Sequence, residues 1–261
     1  MSHFYDIYHN ESLLEKLDQG LPPRGDESLI QQLQATLKAT PDRIVDIGCG
    51  HGGHTFALAE AFPEATVVGV DPYRPSLEEA LEEREAEDKE RVGFIPGTIE
   101  ALPFEDASTD LIWCFDMLCH SEEPVMALME CHRILQPGGT LMLSTAVTTP
   151  AMEEQTWSTL SPAGLHLISM DQAEISKGIQ AVGFEVIAEK NYRSEFLEAI
   201  EAEDPGRVSK DFIRMARLQR DPEHWKSELG ADRIEPMQAL LAYNLAILSG
   251  KLDYYCWQVI K

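Results

Sequence analysis

Glycine and aspartate residues near position 50 form the part of the sequence with the clearest chemical potential. Residues 44 to 53 read Ile-Val-Asp-Ile-Gly-Cys-Gly-His-Gly-Gly, and a helical pattern follows from Thr55. A short apolar run that ends in glycines and continues as a helix is typical of the entry to a nucleotide-binding βαβ unit. Glycines are favoured there because a Cβ would keep a ligand away from the backbone N–H groups at the helix start.

Two nucleotide-binding patterns fit this glycine turn. Gly48, Gly50 and Gly53 satisfy G-x-G-x-x-G, the dinucleotide fingerprint. Asp46, followed by Gly48, Gly50 and Gly52, satisfies D-x-G-x-G-x-G, the loop of S-adenosylmethionine (SAM) enzymes. The turn therefore predicts a bound nucleotide and leaves its class open.

A second acid follows the turn at the spacing that both classes use. Asp71 ends the next predicted strand, Thr-Val-Val-Gly-Val-Asp. A carboxylate about 20 residues beyond the glycines accepts hydrogen bonds from ribose hydroxyls. We therefore expect Asp71 to bind the ribose of whichever nucleotide occupies the turn.

Two downstream segments favour one class. Residues 97 to 113 read Gly-Thr-Ile-Glu-Ala-Leu-Pro-Phe-Glu-Asp-Ala-Ser-Thr-Asp-Leu-Ile-Trp, and residues 133 to 139 read Arg-Ile-Leu-Gln-Pro-Gly-Gly. With these pieces in order, the chain resembles the class I SAM-dependent methyltransferases, within the branch of ubiquinone and menaquinone C-methyltransferases and their small-molecule relatives. The resemblance covers roughly residues 40 to 190.

The resemblance implies SAM as cofactor, S-adenosylhomocysteine as product and a set of cofactor contacts. These contacts are the residues of the glycine turn, the acid after the second strand and the ends of the third and fourth strands: Asp46, Gly48, Cys49, Gly50, Gly52, Asp71, Pro72, Thr98, Ile99, Glu100, Cys114, Phe115 and Met117. Many relatives carry aspartate where this chain has Thr98, so we expect a weaker contact with the adenine amino group. We expect Ile99 to offer a backbone N–H and an apolar face to the ring.

Methyl transfer from a sulfonium needs little acid–base chemistry, but an oxygen or carbon nucleophile must lose a proton. His120 is the candidate base, because relatives place a histidine in the loop after the fourth strand. Glu195 and Tyr5 are lesser candidates, from the predicted cap and the N-terminal segment.

The alternation of strand and helix patterns predicts an α/β fold with a Rossmann-like, doubly wound sheet. By resemblance, the sheet has seven strands, the last of them antiparallel. Strands are predicted at 44–47, 66–70, 92–95, 110–115, 140–146 and 184–190, and helices at 28–39, 55–62, 76–87, 123–135 and 171–182. Helical patterns at 194–203, 208–221, 223–229 and 234–248 precede a final strand at 253–260.

These elements predict one methyltransferase domain over residues 1–261. It consists of an N-terminal lid and helix (1–40), a SAM-binding core (41–192), a helical cap inserted between the sixth and seventh strands (193–251) and the last strand (252–261). The cap leaves from the carboxyl end of a strand, where ligands bind in such sheets. Its candidate pocket residues are Phe196, Phe212, Met215, Trp225, Met237 and Tyr243, which could equally form a small core of the cap itself.

Composition narrows the partners. The formal net charge of -24 disfavours electrostatic binding of nucleic acid. Five cysteines without a C-x-x-C pair, no signal peptide and no apolar run of membrane-spanning length predict a cytoplasmic protein without a membrane span. No cluster of histidines and cysteines converges as a metal site would, and no sequence feature sets the oligomeric state.

The sequence-based hypothesis is methyl transfer from SAM to an oxygen, nitrogen or carbon atom of a small-molecule acceptor. Two alternatives stay open: a SAM-binding protein that does not catalyse transfer, and a nicotinamide-dependent oxidoreductase on the same fold. The second would need a hydride-transfer constellation such as Tyr-x-x-x-Lys after the fourth strand, and the sequence has none there.

Overall fold

A computed structural model describes residues 27–86, 90–160 and 171–261. Its seven-stranded sheet has the order β3-β2-β1-β4-β5-β7-β6. The strands are β1 (Arg43–Ile47), β2 (Thr66–Asp71), β3 (Val92–Pro96), β4 (Thr109–Phe115), β5 (Leu135–Thr148), β6 (Glu185–Arg193) and β7 (Leu252–Ile260).

The helices alternate with the strands and then gather before β7. They are α1 (Glu27–Thr36), α2 (Gly53–Ala61), α3 (Arg74–Ala86), a 3-10 turn (Leu118–His120), α4 (Pro124–Ile134), α5 (Glu154–Leu160), α6 (Gln172–Val182), α7 (Glu195–Glu203), α8 (Lys210–Arg220), α9 (Pro222–Leu229) and α10 (Ala231–Leu248). We call α7 to α10 the cap.

The sheet brings the predicted functional residues to one edge. Strands β1 to β5 are parallel, with β1 between β2 and β4. Strand β7 pairs antiparallel with both β5 and β6, so β6 again runs in the direction of the first five. The glycine turn after β1, Asp71 at the end of β2 and the residues after β4 therefore meet at the carboxyl edge. The predicted fold class is confirmed.

Apolar side chains fill both faces of the sheet. Strand β1 is buried over four of its five residues because strands lie on both sides of it and helices cover its faces. One cluster, with Phe56, Phe94 and Trp113, packs under α1 and α2; the other, with Ile112, Leu128 and Trp257, packs under α4 and α6. The central strands are thus rigidly placed beneath the turn that they support.

The cap has a core of its own and two polar anchors. Met215, Leu218, Ile234 and Leu241 pack together. The buried Asp211 carboxylate accepts hydrogen bonds from Arg214 and Asn244, which joins α8 to α10.

Between α7 and α8, the carboxylate of Glu201 accepts hydrogen bonds from the backbone N–H groups of Gly206, Val208 and Ser209. The Ser209 hydroxyl donates to the same carboxylate. These bonds lower the pKa of Glu201 to about 2. The turn that leads into α8 is therefore held by an ionised carboxylate.

Most predicted boundaries agree with the structure within a few residues, and two elements differ. Strand β5 begins at Leu135 rather than at residue 140, because its Pro-Gly-Gly segment pairs with the chain end through Gly139 and Lys261. Helix α5 was not predicted. The N-terminal lid, including Tyr5, lies outside the described residues. No helix in the described parts of the chain is long and apolar enough to cross a membrane.

Candidate active site

The glycine turn is held against β2 by backbone hydrogen bonds. The N–H groups of Gly48 and Cys49 donate to the carbonyl of Val70 at 2.7 and 3.1 Å. Gly48, Gly50 and Gly52 have φ angles of +76°, +51° and +88°, in the left-handed region that favours glycine. The backbone conformation is by itself a sufficient reason for glycine at these three positions.

Space around the three glycines separates their roles. A Cβ on Gly48 would lie 2.6 Å from the sulfur of Met117, and one on Gly52 would lie 2.7 Å from the ring of Phe94. A Cβ on Gly50 would have no atom within 4 Å. Gly48 and Gly52 therefore also serve packing, whereas Gly50 borders open space that a ligand could fill.

Asp46 lies buried beneath the turn. Its carboxylate accepts a hydrogen bond of 2.6 Å from the hydroxyl of Thr55 in α2. Burial raises the pKa of Asp46, and the charge of His54 and the Thr55 hydrogen bond oppose that shift. The contact fixes the start of α2 against β1, so Asp46 shapes the turn whatever it binds.

Asp71 stands at the rim of the turn with its carboxylate half-buried. One oxygen accepts from the N–H of Gly50 at 3.0 Å, and the other from the N–H of Tyr73 at 2.8 Å. Pro72 follows it and is exposed. A carboxylate with lone pairs to spare at this rim can accept from two adjacent hydroxyls.

Residues 98 to 100 lie beyond β3. Thr98 is exposed, while the Ile99 side chain is only 2% exposed and packs in a core cluster with Leu102 and Ile112. The contact of Ile99 with the adenine ring stays a prediction. The carboxylate of Glu100 accepts a hydrogen bond of 2.6 Å from the hydroxyl of Ser121. That bond ties this segment to the loop after β4.

At the end of β4, the three predicted residues separate. Cys114 is 1% exposed and packs against the α4 side of the sheet, so its side chain does not reach the turn. Phe115 points to the opposite face, where its ring lies 4.7 Å from His54, and Met117 covers Gly48. Side chains alternate along a strand, which explains why Cys114 and Phe115 cannot share a site.

Of the candidate bases, His120 is exposed at the end of the 3-10 turn. Glu195 is half-buried at the first turn of α7, directly after β6, and so lies at the carboxyl edge. Cys49 is buried and its side chain packs against Gly69, which leaves only its backbone at the turn.

Asp116 was missed by the sequence analysis and occupies the centre of this edge. Its carboxylate accepts a 2.6 Å hydrogen bond from the hydroxyl of Tyr243 in α10 and a 3.5 Å contact from the thiol of Cys119. Its φ of +55° is unusual for a residue with a side chain. No motif marks it, and its partner Tyr243 lies 127 residues away along the chain.

Four aromatic rings stand beside this acid. Phe115 lies 5.5 Å from Tyr254 and 5.6 Å from Phe196, and Tyr192 lies 4.9 Å from Phe196. They line the carboxyl edge between β4, β6 and β7. An apolar or aromatic group could pack among such rings.

The six predicted cap residues fall into three pairs. Phe196 and Tyr243 reach the carboxyl edge. Met215 and Trp225 belong to the core of the cap. Phe212 and Met237 are 55% and 36% exposed.

A cavity of about 350 Å³ between α5, α8 and α10 shares no residue with the turn or with Asp116. In the described ranges, no group of histidine, cysteine and acidic side chains could hold a metal ion.

Comparisons with known proteins agree with this geometry. A family model described as a methyltransferase domain matches residues 45–143. The chain is 31% identical over 164 residues to 27-O-demethylrifamycin SV methyltransferase of Amycolatopsis mediterranei, a match that covers 62% of this chain and 56% of that protein. Matches to the curated relatives span between 31% and 56% of their lengths.

Two solved structures share the fold. The cyclase SpnF aligns with a TM-score of 0.68 and 18% identity, over 93% of this chain and 84% of the other. Phosphoethanolamine N-methyltransferase 2 of Haemonchus contortus, solved with S-adenosyl-L-methionine, aligns with a TM-score of 0.68 and 21% identity, over 93% of this chain and 54% of the other. The chain thus matches the methyltransferase domain family over residues 45–143 and shares the fold of a methyltransferase solved with SAM.

Proposed function

We propose that this protein transfers the methyl group of SAM to a small-molecule acceptor and releases S-adenosylhomocysteine. The observation that carries the proposal is the open space at Gly50, bordered by the Asp71 carboxylate at the carboxyl edge of the sheet. A side chain at Gly50 would fill that space, and the carboxylate offers acceptors to a ribose. The residues present therefore fit the cofactor.

Several residues of the edge would hold the cofactor. Asp71 would accept from the ribose hydroxyls, the backbone of Ile99 would meet the adenine, and Met117 would lie beside the methionine portion. Asp46 would act by fixing the turn through Thr55. When bound, the sulfonium of SAM supplies an activated methyl group.

Catalysis would rest largely on position. Holding a nucleophile in line with the methyl group in a site that excludes water supplies about 7–11 kcal/mol of the barrier. The aromatic rings of Phe115 and Phe196 and the cap above them support an acceptor that is partly apolar. The sequence alone predicts His120 as a base, with Glu195 the lesser candidate, and both residues lie at the same sheet edge as Asp116.

The net charge bears on the class of acceptor, and the state of the cysteines bears on the location of the protein. A formal net charge of -24 disfavours a nucleic-acid acceptor. All five cysteines are free and buried, which supports the predicted cytoplasmic location.

The test begins with calorimetric titrations of the pure protein with SAM, S-adenosylhomocysteine and NAD. We expect the first two to bind and NAD not to bind. Metabolite extracts are then incubated with methyl-labelled SAM, and a labelled product is expected. Binding of NAD alone would contradict the proposal.

A SAM-binding protein without methyl transfer is the second candidate. The observation that favours it is the shared fold with a protein named as a cyclase. One fold hosts several chemistries. Binding of SAM with no labelled product from any extract would favour this candidate.

A further inference from the structure

We propose that Asp116 is the catalytic group that takes the proton from the methyl acceptor, and that Tyr254 orients the same acceptor atom. The acceptor is therefore a hydroxyl or amine, which can donate a hydrogen bond, and not a carboxylate. This inference rests on the proposed function and deepens it. We call Asp116, Cys119, Tyr243 and Tyr254 the Asp116 cluster.

The first observation is the uneven use of the two carboxylate oxygens. Tyr243 and Cys119 both donate to Oδ1 of Asp116. In the described residues, no side chain or N–H group donates to Oδ2 by hydrogen-bond geometry. Asp116 is half-buried and Oδ2 is not among the buried atoms without a partner, so this oxygen is open to a donor from a ligand.

The second observation is the hydroxyl of Tyr254. Tyr254 is 6% exposed, and its buried hydroxyl has no hydrogen-bond partner. It lies close enough to Asp116 to affect the pKa of that carboxyl, although it makes no hydrogen bond to it by geometry. A buried hydroxyl without a partner is costly, and a ligand atom that accepts from it would remove that cost.

The third observation is backbone strain. Asp116 has a φ of +55°, and its N–H donates to the carbonyl of Ser144 in β5 at 2.7 Å. Strained residues that persist in a fold are concentrated at functional sites. The bond to Ser144 holds Asp116 in the conformation that directs its carboxylate toward the cap.

The fourth observation is position. Met117, the next residue, packs on Gly48 of the glycine turn. Tyr243 donates to Asp116 from α10 of the cap, and Tyr254 comes from β7 with its ring 5.5 Å from that of Phe115. The Asp116 cluster thus stands where the glycine turn, the cap and the sheet meet, which is where an acceptor must lie beside the cofactor.

The chemistry balances without a further reactant. A lone pair on the acceptor oxygen or nitrogen forms the new bond to the methyl carbon, and the carbon–sulfur bond breaks with its electron pair on sulfur. The proton of the acceptor passes to Oδ2 of Asp116, which becomes a neutral acid. Asp116 then returns the proton to solvent, and exposed His120 lies close enough to interact with its charge.

Charge decides against a carboxylate acceptor. A second carboxylate beside Asp116 would repel it in a site with few polar groups to separate the charges. An ammonium or hydroxyl group would instead donate to Oδ2, and a hydroxyl group would also accept from the hydroxyl of Tyr254. The rings of Phe115 and Phe196 add faces that suit a cationic amine.

Phenol, benzylamine and benzoate provide the test, because they share a ring and differ in the group offered. Binding is measured by calorimetry on full-length protein saturated with S-adenosylhomocysteine. We expect phenol and benzylamine to bind at least tenfold more tightly than benzoate. Asp116→Asn should weaken the binding of phenol and of benzylamine, the two hydrogen-bond donors, at least tenfold. It should also reduce the preference of the protein for these two compounds over benzoate. Asparagine tolerates positive φ, so the backbone is kept.

Tyr254→Phe gives an independent variant. It removes the unpartnered hydroxyl without leaving a cavity, and we expect threefold or greater weakening of phenol. Tyr255→Phe is the matched control, because Tyr255 is on the same strand and stacks on Trp257 at the opposite face. We expect it to leave phenol affinity unchanged.

The outcomes separate this inference from the proposed function. Failure of wild-type protein to bind S-adenosylhomocysteine would contradict the proposed function itself. If that nucleotide binds, three results overturn the Asp116 assignment alone: benzoate binds as well as phenol, neither donor binds, or Asp116→Asn binds both donors as the wild type does. An Asp116→Asn protein that still binds S-adenosylhomocysteine confirms that the variant is folded.

Discussion

At the scale of single residues, the site depends on acids that are used in three different ways. Asp46 is buried and fixes the start of a helix, Asp71 stands at the rim of the turn, and Asp116 lies among tyrosines under the cap. Burial raises the pKa of both Asp46 and Asp116. Similar carboxyl groups at one sheet edge therefore have different environments, and different roles follow from them.

Replacement of Asp71 by alanine should weaken SAM binding by at least tenfold. Two hydrogen bonds from ribose to a charged acceptor would be lost, at roughly 1.5–3 kcal/mol each. Calorimetry on folded protein measures the change. Asp110→Ala is the matched control, because Asp110 also accepts from two backbone N–H groups, those of Asp42 and Arg43, but at the opposite edge of the sheet.

An Asp71→Ala protein with an unchanged dissociation constant for SAM would assign the ribose to another residue. Loss of affinity in Asp110→Ala as well would point to general damage to the fold. We expect Asp110→Ala to reduce the free energy of unfolding and to leave SAM affinity intact.

Gly50→Val should abolish SAM binding, because valine would occupy the open space at the turn and is strained at a φ of +51°. Gly138→Val separates the two effects. Gly138 has a φ of +83° and equally open surroundings, but it lies at the amino edge of the sheet, in β5. We expect circular dichroism to show both variants folded, and only Gly50→Val to lose SAM in a titration.

The raised pKa of Asp116 predicts how stability depends on pH. A carboxyl group whose pKa is higher in the folded than in the unfolded state adds stability below its unfolded pKa of about 3.9. That stability is lost as pH rises through the folded pKa, because burial penalises the ionised form. The charge of His120 and hydrogen bonds from Tyr243 and Cys119 oppose this shift and limit its size.

Denaturant unfolding of wild type and Asp116→Asn from about pH 4 to about pH 8 checks this expectation, because the range begins at the ordinary carboxyl pKa of about 3.9 and extends above it. The free energy of unfolding of wild type should fall relative to the variant as pH rises, and then level off. A difference that stays constant across the range would mean that Asp116 titrates normally in the fold.

At the scale of elements, periodic patterns predicted the strands and helices, and long-range contacts decided what was missed. The apolar run of β1 and the glycines after it specify their structure locally, so the turn was predicted residue by residue. Helix α5 reads Glu-Gln-Thr-Trp-Ser-Thr-Leu, in which four residues have modest helix propensity. It packs against α10, a contact that no local pattern shows.

The end of β4 shows the same limit within the site. Cys114 and Phe115 are neighbours in sequence but lie on opposite faces of the sheet, which position along the motif does not reveal. Asp116 acquires its role only from Tyr243 and Tyr254, which come from the cap and from the last strand. Partners so distant along the chain leave no spacing pattern to read.

At the scale of the whole molecule, the cap is joined to the sheet at the same place where the acceptor is proposed to bind. Tyr243 in α10 donates to Asp116, and Phe196 in α7 packs on Phe115. The cap also packs on its own core through Met215 and Leu218, while Ala246 and Ile247 of α10 join the core beside the sheet. A unit that has a core of its own can change position against the sheet when one of the contacts that join the two is altered.

We therefore predict that the cap and the N-terminal segment become more protected when nucleotide and acceptor bind. Lids exclude water and complete a site, and they are drawn from the less stable parts of a fold. Amide hydrogen exchange measures this with and without S-adenosylhomocysteine, and again with phenol added. Protection should rise strongly in residues 48–53, and to a lesser degree in residues 3–19 and 194–230.

Tyr243→Phe provides the decisive comparison for that experiment. It removes the hydroxyl that ties α10 to Asp116 while keeping the ring, so the cap should exchange faster in the free protein and should gain more protection on binding. Residues 172–182 of α6, which pack with Leu128 and Trp257 in the other core cluster, serve as the internal control and should exchange equally in both proteins. If residues 48–53 gain protection while the cap exchanges at the same rate in every state, the cap is a fixed wall. Specificity would then depend on the side chains after β4 and on β7, with no contribution from closure.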